Sequence, residues 1–170
     1  MNGVASHDAF VELVNGHRGI LFRIARAYCR NEDDREDLIA ETIAQLWSAF
    51  ARFDGRSSFP TWMYRVAVNV AIAFVRKDVR KRRYVAPGGE GVLERIAASE
   101  ERAEDERLDL LYELIDDLAP LDRALMLLYL DEYPHVEIAA ILGITETNVA
   151  TKIGRIKERF RRSVAAGGAL

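Results

Sequence analysis

Apolar residues recur at helical spacing through most of the chain, and no segment alternates apolar and polar residues as a strand would. The pattern therefore predicts an all-α protein. A first helix is predicted over about residues 9–30, and a second follows the acidic turn NEDDRED and runs to about residue 50. The apolar face of the first helix consists of Phe10, Leu13, Val14, Ile20, Leu21, Ile24 and Ala25.

A polar loop, FDGRSSFPTW (residues 53–62), separates the second helix from a third. Pro60 indicates where the third helix starts, because its missing N–H would be unbonded in a first turn anyway. Ser57 or Ser58 would supply the cap. The loop is unusual in having aromatic residues at both ends and a basic stripe directly after it.

The second half begins after VAPGGEGVLE (residues 85–94), which has the composition of a linker. The chain is therefore predicted to fold as two small helical domains, residues 1–84 and residues 104–170, joined by a flexible linker over residues 85–103. The helices predicted in the second domain cover about residues 104–118, 120–130, 135–142 and 146–162.

Composition narrows the class of protein. Of the 170 residues 49% are hydrophobic, enough for a packed core. No apolar run reaches the ~18 residues of a membrane span, and the N-terminus lacks the basic and apolar regions of a secretory signal, so we expect a cytoplasmic protein without membrane insertion. Cys29, the single cysteine, is interpreted as a small core residue. One cysteine and three scattered histidines predict neither a metal site nor a cofactor.

The net charge of −3 hides a strong segregation of charge along the chain. Residues 76–83 (RKDVRKRR) contain six basic residues and one acidic residue, and residues 152–162 again contain six and one. Between them, residues 90–117 contain eleven acidic residues and three basic residues. The basic blocks would attract phosphate, whereas the acidic stretch would repel it.

The last two predicted helices have the pattern of a helix-turn-helix. Gly143 lies in the turn, where a left-handed backbone is least costly for glycine. Val149, Ile153, Ile156 and Phe160 are predicted to face the core. Short polar groups and then cations occupy the opposite stripe, as in a helix that reads base edges and contacts phosphates. A solvated cationic helix on a bundle is the alternative. The stripe consists of Asn148, Thr151, Lys152, Arg155, Arg159 and Arg162.

The third helix carries a second cationic stripe. Trp62 is predicted to lie about 60° from Arg65, beside this stripe and away from the core. An aromatic ring beside cations and a small polar loop favours single-stranded nucleic acid, because the ring can stack on a base. The alternative is that Trp62 caps the three-helix core. The stripe consists of Arg65, Asn69, Ile72, Arg76, Arg80 and Arg83.

Asp37 and Glu41 place two like charges at i, i+4 on the second helix, which costs a few tenths of a kcal/mol in isolation. Either the nearby helix N-terminus offsets that cost, or the pair belongs to a docking face for a basic partner. No nucleophile, metal set or histidine accompanies the two carboxylates. We therefore expect no catalytic residues and no enzyme activity.

These segments together resemble a known family. DLIAETIAQLW, FDGRSSFPTWMYRVAVNVA, the basic tail, the Gly/acid linker and EIAAILGITETNVATKIGRIKERF are similar, in that order, to the extracytoplasmic-function (ECF) class of bacterial sigma factors. The similarity covers roughly residues 10–83 and 108–162. It implies a sigma-2 domain followed by a sigma-4 domain.

The resemblance also implies partners and site residues. The partners are core RNA polymerase, through its β′ clamp helices and β flap, promoter DNA, and an anti-sigma factor. The residues implied to dock on polymerase are Asp37, Leu38, Glu41, Thr42, Leu46 and Trp47. Those implied to meet the minus-ten element are Asp54, Gly55, Arg56, Ser57, Ser58, Phe59, Trp62, Arg65, Asn69, Arg76, Lys77 and Arg80, with Lys81, Arg82 and Arg83 continuing along the duplex. Those implied to read the minus-thirty-five element are Thr147, Asn148, Thr151, Lys152, Arg155 and Arg159.

Three functions remain open at this point. The first is a transcription initiation factor that works only with core polymerase. The second is a self-sufficient helix-turn-helix regulator that binds duplex DNA as a dimer, which leaves the acidic helix and the aromatic loop unexplained. The third is a helical adaptor that no longer binds DNA.

Overall fold

The computed structural model describes residues 2–82 and 102–167, and side chains within residues 6–78 and 106–167. Throughout these ranges every regular element is an α-helix, as the all-α prediction requires. The predicted linker segment, residues 85–94, and Arg83 lie outside the described residues. The helices are α1 (Asn2–Gly16), α2 (Arg18–Tyr28), α3 (Glu32–Phe50), α4 (Phe59–Arg82), α5 (Arg102–Asp116), α6 (Pro120–Leu130), α7 (His135–Leu142) and α8 (Glu146–Gly167).

The first predicted helix is in fact two helices, so that prediction was wrong. The chain turns at His17, whose N–H donates to the Val14 carbonyl (3.1 Å) and whose carbonyl accepts from the Ile20 N–H (3.0 Å). Gly16 favours a break here, because glycine is a poor helix former. The apolar face was nevertheless predicted correctly, since both Val14 and Ile20 are buried.

The predicted acidic turn is instead the first turn of α3. Asn31 caps this helix, because its side-chain oxygen accepts the Asp34 N–H at 2.8 Å. Glu32, Asp33 and Asp34 follow directly, where carboxylates interact favourably with the helix dipole. Acidic residues that look like a turn in the sequence therefore stabilise the start of a helix.

α4 starts where the sequence predicted. Its N-terminus is capped by Ser58, whose Oγ accepts the Thr61 N–H (3.3 Å) and lies 2.9 Å from Thr61 Oγ1. Of the two serines proposed as caps, Ser58 is the one that bonds. The capped turn fixes the point at which the polar loop meets α4.

The second half agrees closely with prediction. α6 and α7 have the predicted bounds, α5 ends two residues earlier than predicted, and α8 continues to Gly167. Gly143 has φ +68° and ψ +33°, the left-handed conformation expected of it. Ile144 N–H donates to the Ala139 carbonyl (3.1 Å) and closes the turn between α7 and α8.

Both halves contribute to one continuous buried cluster. α2, α3 and α4 pack on one another, α2 also lies against α5 and α6, and α4 also lies against α6 and α7. The sequence predicted two tethered domains but did not predict their orientation. In this structure the helix-turn-helix half is docked on the three-helix half.

Glu132, between α6 and α7, has φ +61°, which no other non-glycine residue has in the described part of the chain. This left-handed conformation costs a residue with a Cβ roughly 1 kcal/mol. We expect Glu132→Gly to raise the free energy of unfolding by up to about 1 kcal/mol, measured by urea denaturation. The matched control is Glu113→Gly at an exposed position of α5, which should lower it by about 1 kcal/mol. A similar loss in both variants would contradict the prediction.

Candidate protein-docking and nucleic-acid surfaces

The outer face of α3 is smaller than the sequence predicted. Leu38, Thr42 and Leu46 are only 1%, 2% and 0% exposed, and they pack into the core. The Thr42 hydroxyl donates to the Leu38 carbonyl within the helix (2.7 Å). These three predicted docking residues therefore cannot contact a partner directly. They position the helix instead.

What α3 does present to a partner is a mixed acidic and apolar surface. Asp37, Glu41 and Trp47 are exposed, and Trp47 keeps 43% of its surface accessible. Ile43 is also exposed and adds apolar area to the same helix. We call Asp37, Glu41, Ile43 and Trp47 the α3 face.

Aromatic rings of α1 contact the Trp47 ring of the α3 face. The Trp47 ring meets Phe10 edge-on, with ring centroids 5.1 Å apart, and His7 from α1 meets it on another side at 5.4 Å. Phe10 in turn packs on Phe50 at 5.1 Å. Trp47 is therefore fixed in orientation although nearly half of it is exposed.

Trp62 packs with the core, so the prediction that it turns away from the core was wrong. Its ring lies 5.0 Å from Phe53, 5.5 Å from Phe59 and 6.4 Å from Phe50. The alternative interpretation, in which Trp62 caps the three-helix core, is the observed one. Trp62 packs inward because three aromatic rings, from α3, the loop and α4, converge at this point. Helical spacing within α4 alone cannot indicate such an association.

The same cluster changes the role of Phe59. This residue is 7% exposed and lies beneath the loop, so it cannot contact a ligand on the loop's outer side. Phe50 and Phe53, which the sequence did not single out as site residues, complete the cluster. Their signal in the sequence was only the repeated aromatic residue on each side of the loop. We call Phe50, Phe53, Phe59 and Trp62 the aromatic platform.

The loop above this platform has a defined conformation. Gly55 has φ +72°, and a side chain there would be strained. Asp54 accepts the Arg56 N–H (3.1 Å) and also pairs with the Arg56 guanidinium (3.1 Å), so this cation has an acidic partner within the loop. Both side chains are exposed. The loop thus offers a small, polar and open surface.

α4 continues from the loop with the exposed polar stripe that the sequence predicted. Arg65, Asn69, Arg76 and Lys77 are all exposed, and the half-buried Ile72 lies within the stripe. Arg80, Lys81 and Arg82 belong to α4, but their side chains are outside the described part of the structure. Loop and stripe together form one surface that suits nucleic acid.

α8 also carries its predicted faces, with one correction. Val149, Ile153 and Ile156 are buried, Phe160 is partly buried, and the exposed residues include Thr147, Asn148, Thr151, Arg155 and Arg159. Lys152 is only partly exposed, because its ammonium group pairs with Asp122 of α6 at 2.8 Å. It is therefore not the free outward cation that the stripe predicted.

Cys29 is buried, and burial raises the pKa of its thiol to about 12. The thiol therefore stays protonated and inert, as expected of a core residue. Among the residues that the structure describes, no group of His, Cys, Asp and Glu could hold a metal ion. Over the same residues, none of the helices is long and apolar enough to cross a membrane.

Comparison with known proteins gives consistent matches in both halves. The family model for Sigma-70 region 2 matches residues 13–81, and the model for Sigma-70, region 4 matches residues 108–160. The ECF RNA polymerase sigma factor SigW of Bacillus subtilis is 28% identical over 169 residues, which cover 92% of this chain and 89% of SigW.

Two solved structures share the fold. One is CnrH in complex with the cytosolic domain of CnrY, with 23% identity, a TM-score of 0.68, and coverage of 94% of this chain and 90% of that one. The other is the sigma factor RpoE of Bartonella quintana in complex with the anti-sigma factor NepR, with 18% identity, a TM-score of 0.71, and coverage of 91% and 95%. Each of these two structures contains a partner protein bound to the relative.

Proposed function

We propose that this chain, which belongs to the ECF class of the sigma-70 family, is a transcription initiation factor. It binds core RNA polymerase and directs it to promoters. The polymerase supplies the chemistry, and this chain supplies promoter choice without a catalytic site of its own. It acts in the cytoplasm, where the polymerase is found.

The two halves divide the work. Residues 1–84 dock on the polymerase and meet the minus-ten element, residues 104–170 meet the minus-thirty-five element and the β flap, and residues 85–103 connect them. The order of the two family regions, each with its own exposed polar surface, is the observation that carries this proposal. Each half alone would bind its DNA element weakly. When both halves are held on one polymerase, their high effective concentration raises the affinity for promoter DNA.

The α3 face is the contact for the β′ clamp helices. Asp37 and Glu41 supply negative charge for a basic partner, and Trp47 with Ile43 supplies apolar area. An exposed tryptophan with a fixed ring is a typical anchor residue of an interface. Leu38, Thr42 and Leu46 contribute indirectly, by fixing α3 on the core.

The loop and the α4 stripe contact the minus-ten element. Residues 54–58 take up a base that has left the stack, and Arg65, Asn69 and Arg76 follow the strand. Lys77, Arg80, Lys81, Arg82 and Arg83 are the further basic residues that we assign to contact with the duplex. Unstacking a base costs a few kcal/mol, and a site that holds the flipped base returns that energy selectively. The aromatic platform supports the loop from below.

α8 reads the minus-thirty-five element in the major groove. Thr147, Asn148 and Thr151 are close to its N-terminal end and suit base edges, while Arg155 and Arg159 suit phosphates. The Asp122–Lys152 pair leaves Lys152 only partly available. The family supports this role as part of a sigma factor and does not support an autonomous regulator.

An anti-sigma factor is proposed as the regulator. Both structural relatives were solved with a bound partner, and for RpoE that partner is the anti-sigma factor NepR. On this chain such a partner would cover the α3 face or the α4 stripe.

The experiment that tests the function is reconstitution with core RNA polymerase on the promoter upstream of the chain's own gene. Core enzyme with this protein should give one specific transcript, and the two should co-elute. Core enzyme alone is the control. Absence of both the transcript and the co-elution would overturn the proposal.

Arg155 and Lys152 should differ in their effect on the upstream element. Arg155→Ala removes an exposed cation, so binding should weaken about five- to tenfold and the salt dependence should fall by about one ion. Lys152→Ala also leaves the Asp122 carboxylate unpaired, facing a polyanion, and should therefore weaken binding further. The measurement is holoenzyme affinity for promoter DNA at several salt concentrations.

The matched control for Lys152 is the double variant Asp122→Asn with Lys152→Ala. It removes the carboxylate together with its partner and should recover part of the loss. If it binds no better than Lys152→Ala alone, the Asp122 charge has no influence on the upstream contact.

A further inference from the structure

Arg56 is the only basic residue in the polar loop, residues 53–62. Its side chain is 90% exposed, so a ligand that meets the loop can reach it. Gly55, its neighbour, has φ +72°, and a Cβ at that position would meet no atom within 4 Å. The backbone beside Arg56 therefore faces open space, and a planar group can approach the guanidinium without a clash.

Asp54 contacts Arg56 through both of its carboxylate oxygens. Oδ1 accepts the Arg56 backbone N–H at 3.1 Å, and Oδ2 lies 3.1 Å from Arg56 Nε. The carboxylate therefore holds the guanidinium on its Nε side. Asp54 is in this way a positioning residue, which orients the cation and leaves its far edge open.

The terminal nitrogens of Arg56, Nη1 and Nη2, donate no hydrogen bond to any residue that the structure describes. The other polar groups of the loop differ from them. Ser58 is engaged in the cap of α4, where its Oγ accepts the Thr61 N–H. The hydroxyl of Ser57 can either donate or accept, so it favours no particular base. The loop therefore presents one directed group, a fork of two N–H donors.

A guanidinium edge is specific for two neighbouring acceptors. Arginine carries only donors, and two parallel N–H groups fit a pair of acceptors that lie side by side. Guanine has such a pair in O6 and N7, and an unstacked cytosine has one in N3 and O2. In adenine and thymine each acceptor on these edges is next to an N–H donor, which would face the donors of the arginine.

We propose that Arg56 determines which base the loop accepts, and that it selects guanine or cytosine over adenine and thymine. The inference rests on the proposed function, because the loop must hold an unstacked base before a side chain can read it. The contact with Asp54 favours such selection, since an oriented side chain loses less rotamer freedom when it binds.

Arg52 is a second cation beside the same loop and differs from Arg56 in one respect. It follows directly on α3, it is exposed, and it forms no ion pair with any residue that the structure describes. A cation that no partner orients suits a phosphate, which every base sequence presents, better than one base edge. Arg52 is therefore expected to add affinity without base preference.

The test measures the affinity of the holoenzyme, wild-type protein with core polymerase, for pre-melted templates. Each unpaired position of the minus-ten element carries each of the four bases in turn. At one position guanine or cytosine should bind about five- to tenfold more tightly than adenine and thymine. A preference for adenine or thymine at the position that responds to Arg56 would overturn the proposal.

Arg56→Lys separates the charge from the fork. Lysine keeps the positive charge but presents it as a point, so the preference at this position should fall to less than about twofold. The salt dependence of binding should stay as in the wild type, because no charge is lost. The side chain is 90% exposed, so the fold should not change. A lysine variant with undiminished base preference would show that the fork does not read the base.

Arg52→Ala is the matched control on the same surface. It should weaken binding to all four templates by a similar factor and reduce the salt dependence by about one ion, while the base preference stays intact. Loss of the preference in this variant as well would mean that the total charge near the loop, and not Arg56, decides which base is held.

Base analogues test which edge is read. A guanine analogue with carbon in place of N7 lacks one of the two acceptors, so a guanine preference should disappear with it. A cytosine analogue without its amino group keeps N3 and O2, so a cytosine preference should persist with it. The opposite result with the preferred base would contradict readout by a donor-only group.

Failure of this inference and failure of the proposed function give different results. A holoenzyme that transcribes its promoter but has no base preference that depends on Arg56 retains the function and lacks this selection. A chain that neither binds core polymerase nor supports transcription is not the proposed initiation factor.

Discussion

Replacing Asp37 and Glu41 together with lysine is expected to weaken binding to core RNA polymerase by at least about 100-fold. Both carboxylates are exposed on the α3 face, and the expected partner surface is basic. The reversal changes attraction into repulsion at two positions, and about 2.7 kcal/mol corresponds to a 100-fold change in affinity. The measurement is a binding titration of labelled protein with core enzyme.

The fold should survive these two substitutions. Neither side chain is buried, and lysine is a good helix former. Helical content and the thermal midpoint should therefore stay close to those of the wild type. The matched control is Glu106→Lys with Glu113→Lys on α5, two exposed acids that give the same change in net charge. Equal losses in the two double variants would mean that net charge, and not the α3 face, governs docking.

Trp62→Ala is expected to impair promoter opening more than promoter binding. The substitution removes the ring that lies 5.0 Å from Phe53 and 5.5 Å from Phe59, so the loop loses support on its inner side. A loop that is less well fixed holds a flipped base less tightly, and opening should fall more than tenfold on duplex DNA. The defect should be much smaller on a pre-melted template, where the base is already unstacked.

Two controls separate a loss of support from a loss of fold. Trp62→Phe keeps an aromatic ring in the platform and should retain most of the activity. Trp62→Ala should lower the free energy of unfolding by about 2 kcal/mol, less than for a fully buried tryptophan, because the residue is only partly buried. Equal activity of Trp62→Ala on duplex and pre-melted templates would contradict a role in opening.

The sites show where sequence reasoning stops. Helical periodicity predicts that Asp37 and Leu38 belong to the same helix, α3. It does not predict which side of α3 the neighbouring helices cover. Helices α2 and α4 pack against α3, and the core takes Leu38, Thr42 and Leu46, leaving the acids, Ile43 and Trp47 outside. Of the six residues implied to dock, only Asp37, Glu41 and Trp47 are therefore accessible to a partner.

Trp62 illustrates the same limit from the opposite direction. Its angle on α4 placed it beside the cations, yet two of the three rings that contact it, Phe50 and Phe53, belong to α3 and to the loop. The attraction of several aromatic rings for one another decided its orientation. The sequence of α4 alone therefore could not predict that Trp62 packs with the core.

What the sequence determined by itself was the all-α class, most of the helices and their bounds, the turn at Gly143, the start of α4, and the family. These features follow from local rules, because periodicity, turn residues and caps act within a few positions of one another. Only the tertiary structure decided that the two halves dock. The contacts of Arg23, Arg26 and Arg30 join residues 83 to 108 positions apart, and no local pattern relates groups at such separations. The acidic segment, which the sequence interpreted as repelling DNA, therefore acquired its partners Arg26 and Arg30 only when the chain had folded.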